Sequence, residues 1–151
     1  MRAIVKCKSA AQIVRSHGLE RNGDVQRYWT NIVNRRLSRY MPYRLGDLSG
    51  KLKYVSGPAE ITVAAPYAKY QYYGKVMIDP EINAAGFLTK DGTWRSRRGA
   101  VKVLTNRPLD YDLTKNKRAG PFWDRRLMAA EKDAMLQEIR GYIRRREALK
   151  K

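Results

Sequence analysis

The chain has 151 residues, 43% of them apolar, which is enough for one compact domain and too short to argue for two. Lysine and arginine outnumber aspartate and glutamate by 32 to 14, so the net charge is +18 and an anionic partner should lie close by. A single cysteine and a single histidine exclude an internal disulfide and a Cys/His zinc cluster, and we expect no cofactor.

The first elements in chain order are predicted to be a strand and two helices. Ala3–Cys7 is a short apolar run suited to a strand, and Ser9 can cap a helix over residues 10–16 that ends at Gly18. A longer amphipathic helix should run from Asp24 and stop before Pro42, because apolar residues recur there at three- and four-residue steps: Val25, Tyr28, Trp29, Ile32, Val33, Leu37 and Tyr40.

The first residues of the chain also indicate the cellular compartment of the protein. Charges at Arg2, Lys6 and Lys8 interrupt any apolar stretch of the kind that a signal peptide needs, and no run approaches the ~20 apolar residues of a membrane span. We expect a protein that is made and kept in a cytoplasm-like setting, with no membrane partner.

The middle of the chain is predicted to be rich in turns and short strands. Residues 41–50 read as a loop, and the runs KLKYVS and ITVAA flank GPAE, which predicts a hairpin with a loop of about four residues. The segment PYAKYQYYG should form a short helical turn closed by Gly74. Lys75–Asp79 is a candidate strand that Pro80 ends.

Residues 82–106 are predicted to be an extended hairpin insertion. Asp91-Gly92 is a turn signal between Phe87 and Trp94, and Val101–Leu104 is a further candidate strand. The whole chain, residues 1–151, then reads as one α+β domain with a small antiparallel sheet, an amphipathic N-terminal helix and a long C-terminal helix.

The long final helix is predicted from Phe122 to about Leu149, with Pro121 in its first turn, where the missing N–H costs nothing. Phe122 and Trp123 should anchor this helix in the core, to which Trp29 also belongs. Its apolar side is formed by Trp123, Leu127, Ala130, Ala134, Met135, Ile139 and Tyr142, and residues 140–151 form a basic tail.

Candidates for catalysis are weak. His17, beside Gly18, is best interpreted as an ordinary surface or cap histidine. Asp110 and Asp112 would share a face only on a strand, so a turn with local hydrogen bonds is the favoured interpretation of these two acids. We therefore expect a protein that is not an enzyme.

The strongest positive signal is basic. Arg95, Arg97 and Arg98 are followed by Lys102 and Arg107, and no acid lies from Trp94 to Arg107. This run could contact DNA or an acidic partner, or it could be a solvated edge that prevents aggregation. A second cluster, Lys115, Lys117 and Arg118, precedes the final helix and reads as a linker.

Tyrosines are the other signal, because ten in a small domain exceed what one core buries without leaving hydroxyls at the surface. Tyr67, Tyr70, Tyr72 and Tyr73 crowd into one short segment and predict a contact with another protein. The alternative is that two of the four pack inward while the others cover the hairpin.

The order of these motifs resembles the minor capsid protein family of siphophages, which is related to the tail-completion, or head-tail-joining, proteins of the phage neck. The resemblance runs from about Val25 to about Glu131. It rests on the helix followed by YMPYRLGDLSGKL, a strand pair, ITVAAPYAKYQYYG, a variable insertion and RAGPFWDRRLMAAE.

The resemblance implies a virion structural protein without an active site, present in the host cytoplasm during assembly. It implies a homo-oligomeric ring, with a hexamer favoured and a dodecamer as the alternative, in contact with an adaptor or stopper protein and a tail terminator. Non-specific contact with DNA in the channel would fit the charge. A cellular basic nucleic-acid-binding module is the alternative function, and a metal-dependent nuclease using Asp110 and Asp112 is a third.

Overall fold

The computed structural model describes residues 9–43 and 47–149, and they form the α+β fold that the sequence predicts. Outside this part of the chain lie the predicted strand Ala3–Cys7, residues 44–46 of the predicted loop and the last two residues of the basic tail. The elements are α1 Ala10–Ser16, α2 Asp24–Leu37, α3 Ala68–Tyr73, α4 Trp123–Ala148, β1 Lys53–Gly57, β2 Glu60–Val63, β3 Lys75–Ile78, β4 Phe87–Leu88, β5 Trp94–Arg95 and β6 Val103–Pro108.

The start of α1 confirms the predicted cap. The Ser9 hydroxyl accepts a hydrogen bond from the Gln12 N–H at 3.2 Å, and the Gln12 side chain accepts one from the Ser9 N–H at 2.9 Å, which satisfies two otherwise unpaired donors. Gly18 has a φ of 66°, a left-handed conformation that a glycine adopts at little cost after a helix. The helix from Asp24 is also confirmed.

The hairpin of β1 and β2 has a tighter turn than the sequence suggests. Gly57 pairs with Glu60, so the loop is Pro58-Ala59 rather than the four residues GPAE, because the strands continue to pair on both sides of the turn. The hairpin packs on α2. Buried Lys53, in β1, links the hairpin to α2, since its ammonium group donates to the carbonyl and side-chain oxygens of Asn34 at 2.5 and 2.8 Å.

The segment before the hairpin is only partly a loop. Residues Asp47–Lys51 form a π-helical turn, in which the Leu52 N–H donates to the Asp47 carbonyl at 2.8 Å. Leu48 is 5% exposed. The loop prediction was therefore wrong here, and the burial of Leu48 gives the physical reason for ordered backbone at this point.

Within residues 9–43 and 47–149, the strands form three separate two-stranded antiparallel ribbons, not one small sheet. The ribbons β3–β6 and β4–β5 belong to one excursion, Lys75–Pro108, which we call the arm. The Leu109 N–H donates to the Gly74 carbonyl at 2.8 Å and closes the base of the arm. The last strand begins two residues later than predicted because Val103 is the residue that pairs with Ile78.

The core lies where α2 packs against α4. On α4 the buried residues recur at every fourth position: Trp123, Leu127, Glu131, Met135 and Ile139. The predicted apolar side was therefore wrong at Ala130 and Ala134, which are exposed on the flank of this stripe. A carboxylate, Glu131, occupies the buried position between Leu127 and Met135.

The start of α4 differs from the prediction in one detail. Phe122 precedes the helix with a φ of 49°, a left-handed conformation that cannot continue an α-helix. Pro121 thus lies outside the first turn. It packs against Gly74, where a β-carbon would come within 2.8 Å of the proline ring, so only a glycine allows this close approach.

Candidate functional site

The predicted core aromatics are partly confirmed. Trp123 is 5% exposed, and its ring meets that of Tyr72 edge to face at 5.0 Å. Trp29 is half-buried against the core. Phe122 is also half-buried, and its N–H donates to the Tyr72 carbonyl at 2.8 Å, which fixes α3 against the start of α4.

The tyrosine segment divides into residues that pack inward and residues that face solvent. Tyr72 contacts Phe122 and Trp123, and its hydroxyl donates to Asp124 at 2.8 Å, so its packing lies within the chain. Tyr67 and Tyr73 are 39% and 43% exposed, and Tyr70 is intermediate. The predicted contact with another protein thus falls to Tyr67 and Tyr73, on the two ends of α3.

The basic run of the arm is not uniformly unpaired. Arg97 donates to both carboxylate oxygens of Asp79, from Nε at 2.9 Å and from Nη2 at 3.2 Å, and it also pairs with Glu81. The prediction that the basic run contacts DNA or an acidic partner was therefore wrong at Arg97, whose guanidinium is already paired within the chain. It considered only acids near Arg97 in sequence, whereas the arm folds back and places Asp79 and Glu81 beside it.

The other basic residues of the run differ from Arg97. Lys102 donates to the Ala85 carbonyl at 2.5 Å and to the Ser96 hydroxyl at 2.6 Å, so it also fastens the arm. Arg95, Arg98 and Arg107 are exposed, and the described residues place no carboxylate within ion-pair distance of them. These three remain available to a partner.

The arm exposes an unusual amount of apolar surface. Within the described residues, β3 is its only strand that packs appreciably against a helix, α3. Trp94 is 62% exposed and Val101 is 80% exposed. The exposed large apolar side chains of the arm are Ile82, Phe87, Leu88, Trp94, Val101, Val103 and Leu104. Monomeric proteins rarely expose so many large apolar side chains on about a fifth of the chain.

A buried carboxylate cluster joins α2 to α4, and no sequence signal predicted it. Glu131 is 8% exposed and accepts hydrogen bonds from Arg36 at 2.6 Å, Tyr40 at 2.8 Å and Arg118 at 3.2 Å. Arg36 also reaches Glu138, at 2.7 Å. Burial alone would raise the pKa of Glu131, but the hydrogen bonds from Arg36 and Tyr40 outweigh it and the pKa lies below its ordinary value.

Next to this cluster lies a second unpredicted feature, which we call the basic groove. It consists of two adjoining open pockets of about 580 and 790 Å³ that share Arg39, Lys117 and Arg118. The end of α2, the segment before α4 and the first half of α4 form its walls. Its charged lining is Arg36, Arg39, Lys115, Lys117, Arg118, Arg126 and Glu131.

The segment that carries Lys115, Lys117 and Arg118 is not the free linker that the sequence suggested. The Asn116 side chain between them donates to the Met41 carbonyl at 2.7 Å and to the Ser38 carbonyl at 3.4 Å.

One sequence signal could have pointed to the groove, since Arg39 ends the predicted helix on the same face as Arg35 and Arg36, three to four residues earlier.

Two of the weak catalytic candidates, His17 and Asp112, have partners within the chain. His17 is the C-cap of α1 and its Nδ1 lies 2.7 Å from Glu147, which fits the cap interpretation. The Thr114 N–H donates to Asp112 at 2.8 Å, which is the local turn favoured for that acid. Across residues 9–43 and 47–149, no group of three or more histidines, cysteines or acids could hold a metal ion.

Comparisons with known proteins give no relative. No family model matches the chain, and no curated protein or solved structure is significantly similar to it. The described part of the chain has no helix that is both long and apolar enough to cross a membrane.

Proposed function

We propose that this chain is a non-enzymatic structural subunit of a tailed-phage neck, and that its copies form a ring joining the DNA-filled head to the tail. The observation that carries the proposal is the arm, whose exposed apolar side chains have few partners in their own chain. The motif order that resembles the siphophage minor capsid protein family supports the same conclusion.

A ring subunit needs two different surfaces, one that reaches forward and one that receives the neighbouring copy. The arm is the surface that extends to the neighbouring copy, and Leu88 and Trp94 lie near its tip, on the ribbon β4–β5. The ion pair of Arg97 with Asp79 links the segments that follow β3 and β5, and such a restraint on the arm would reduce the entropy lost on assembly. Tyr67 and Tyr73, at the base of the arm, extend the contact area.

The proposal is tested with the purified chain and with particles. Light scattering and negative-stain electron microscopy should reveal a closed ring at raised protein concentration, a hexamer in preference to a dodecamer. The variant Leu88→Ser/Trp94→Ser should remain folded and monomeric, since both side chains are exposed. The matched control Leu19→Ser/Val14→Ser changes two exposed apolar residues of the N-terminal region and should still form rings. Rings from the arm variant as readily as from the wild type would contradict the role of the arm.

The cellular nucleic-acid-binding module remains the alternative, supported by the net charge of +18. It predicts a chain that acts as a monomer and binds nucleic acid with an affinity that falls steeply with salt. The genes on either side distinguish the two functions, because a neck protein should be encoded beside portal, adaptor or tail-tube proteins.

A further inference from the structure

We propose that the basic groove is a binding site for the phosphate backbone of a nucleic acid, which it holds without reading base sequence. The site is distinct from the basic run of the arm, which lies on β5 and beyond. The inference does not rest on the neck function, because it follows from the charge and geometry of the groove in a single subunit.

The first argument is the charge that the chain itself leaves uncompensated. Glu131 is the one carboxylate in the groove lining among the residues described, and both of its oxygens already accept hydrogen bonds from Arg36 and Tyr40 inside the fold. Lys115, Lys117 and Arg126 have no carboxylate within ion-pair distance in that same part of the chain. Their mutual repulsion decreases when an anionic chain lies across them.

The second argument is that the loop carrying Lys115, Lys117 and Arg118 is held in place. The Arg118 N–H donates to the Asn116 side chain at 3.2 Å, and the Arg126 guanidinium donates to the Arg118 carbonyl at 3.3 Å. With the bonds from Asn116 to the end of α2, these interactions fix the loop against both helices. Groups that are ordered before binding lose less entropy when they bind.

The third argument favours a phosphate backbone over an acidic peptide. Peptides gain affinity by adding a strand to an open sheet edge or by inserting large apolar anchors into pockets. The walls of the groove are helix and loop, so they offer no strand edge. Apart from the rings of Tyr40 and Tyr43, their apolar lining consists of small side chains such as Ala129 and Ala130. What the groove does offer is a series of cations across an open surface, which suits evenly spaced phosphates.

The test is the affinity of the full chain for a mixed-sequence DNA duplex, measured by fluorescence anisotropy over a range of salt concentrations. The variant Lys115→Gln/Lys117→Gln/Arg126→Gln should bind about 10-fold more weakly or worse. The slope of log affinity against log salt should fall by about 3, because each substitution leaves one phosphate without its neutralising cation. A second duplex of unrelated sequence should give the same affinities.

The matched control is Lys69→Gln/Lys132→Gln/Arg140→Gln, which removes the same charges from exposed positions outside the groove lining. It should change the affinity by less than about 3-fold, as expected for long-range charge effects screened by salt. Equal weakening by the two triple variants would overturn the proposal, because the binding would then follow net charge alone.

Two further outcomes are decisive. A poly-glutamate peptide that competes for the groove more strongly than the duplex would identify the ligand as an acidic protein and overturn the proposal. If the triple groove variant no longer unfolds cooperatively, the double variant Lys115→Gln/Lys117→Gln replaces it in the test, because it changes no residue of α4. Its salt slope should fall by about 2, and an unchanged slope would overturn the proposal.

Discussion

Arg97 binds Asp79 through two parallel hydrogen bonds, and this pair joins the two ribbons of the arm. Asp79 follows β3 and is 1% exposed, whereas Arg97 follows β5. The Asp79 carboxylate also accepts from the Glu81 N–H at 3.0 Å. The pair therefore converts two short ribbons, each marginal by itself, into one element with a defined shape.

The first prediction concerns this pair. Asp79→Asn should increase amide hydrogen exchange across β3 and β6, because the neutral amide can no longer form a charge-assisted bidentate interaction with Arg97. The control Glu81→Gln removes an exposed partner of the same arginine and should have a smaller effect. Equal protection in the wild type and Asp79→Asn would show that the arm holds its shape without the pair.

The second prediction concerns the cluster between α2 and α4. Glu131→Gln should lower the free energy of unfolding by about 3 kcal/mol, because it leaves the largely buried guanidinium of Arg36 without one of its two carboxylates. Asp133→Asn, two residues along the same helix and exposed, should change it by no more than about 0.5 kcal/mol. Urea unfolding measures both values, and a Glu131→Gln protein as stable as the wild type would show that the ion pair contributes nothing net.

The third prediction is the pH dependence of stability. The pKa of Glu138 is lowered, first by its hydrogen bond from Arg36, and that of Glu131 is lowered as well. A carboxyl group whose folded pKa is depressed stabilises the fold above its unfolded value, about 4.3 for glutamate, and loses that contribution as the pH falls through the folded pKa.

The wild type should therefore lose stability as the pH falls below about 4.3. Glu131→Gln should show a shallower loss, since one of the titrating groups is gone. Urea titrations at pH values from neutral to acid would measure this difference. Identical pH profiles for the two proteins would contradict the assignment of Glu131 as a contributor.

The fourth prediction compares two tryptophans. Trp123→Ala should cost about 3 to 5 kcal/mol, because it empties a buried position beside Tyr72 at the start of α4. Trp94→Ala, at a position that is 62% exposed, should leave the stability of the monomer within about 0.5 kcal/mol. A stable, soluble Trp123→Ala protein would show that Trp123 does not anchor the core.

Local sequence signals account for most of the elements. Ser9, Gly18 and Gly74 mark helix ends that the structure confirms, because capping depends on residues within a few positions of one another. The long helix and the hairpin at Asp91-Gly92 follow from equally local patterns. The prediction placed Phe122 inside α4, whereas its conformation depends on a hydrogen bond with Tyr72, fifty residues away.

The features that were missed depend on interactions between distant segments. No pattern in the charge-rich sequence of α4 distinguishes Glu131, and only the packing of α2 brings Arg36 and Tyr40 to it. The pair of Asp79 and Arg97 likewise requires the arm to fold back. The basic groove needs three segments to meet, so the arginines at the end of α2 could point to one of its walls but not to the whole groove.

The proposed neck function implies that a tailed phage encodes this chain, and its most direct test is electron microscopy of lysates of that phage with a stop codon placed early in the gene. We predict DNA-filled heads and tails that remain unjoined, restored to complete particles by the wild-type gene in trans but not by Leu88→Ser/Trp94→Ser. Joined, infectious particles in normal yield without the chain would contradict the proposed function.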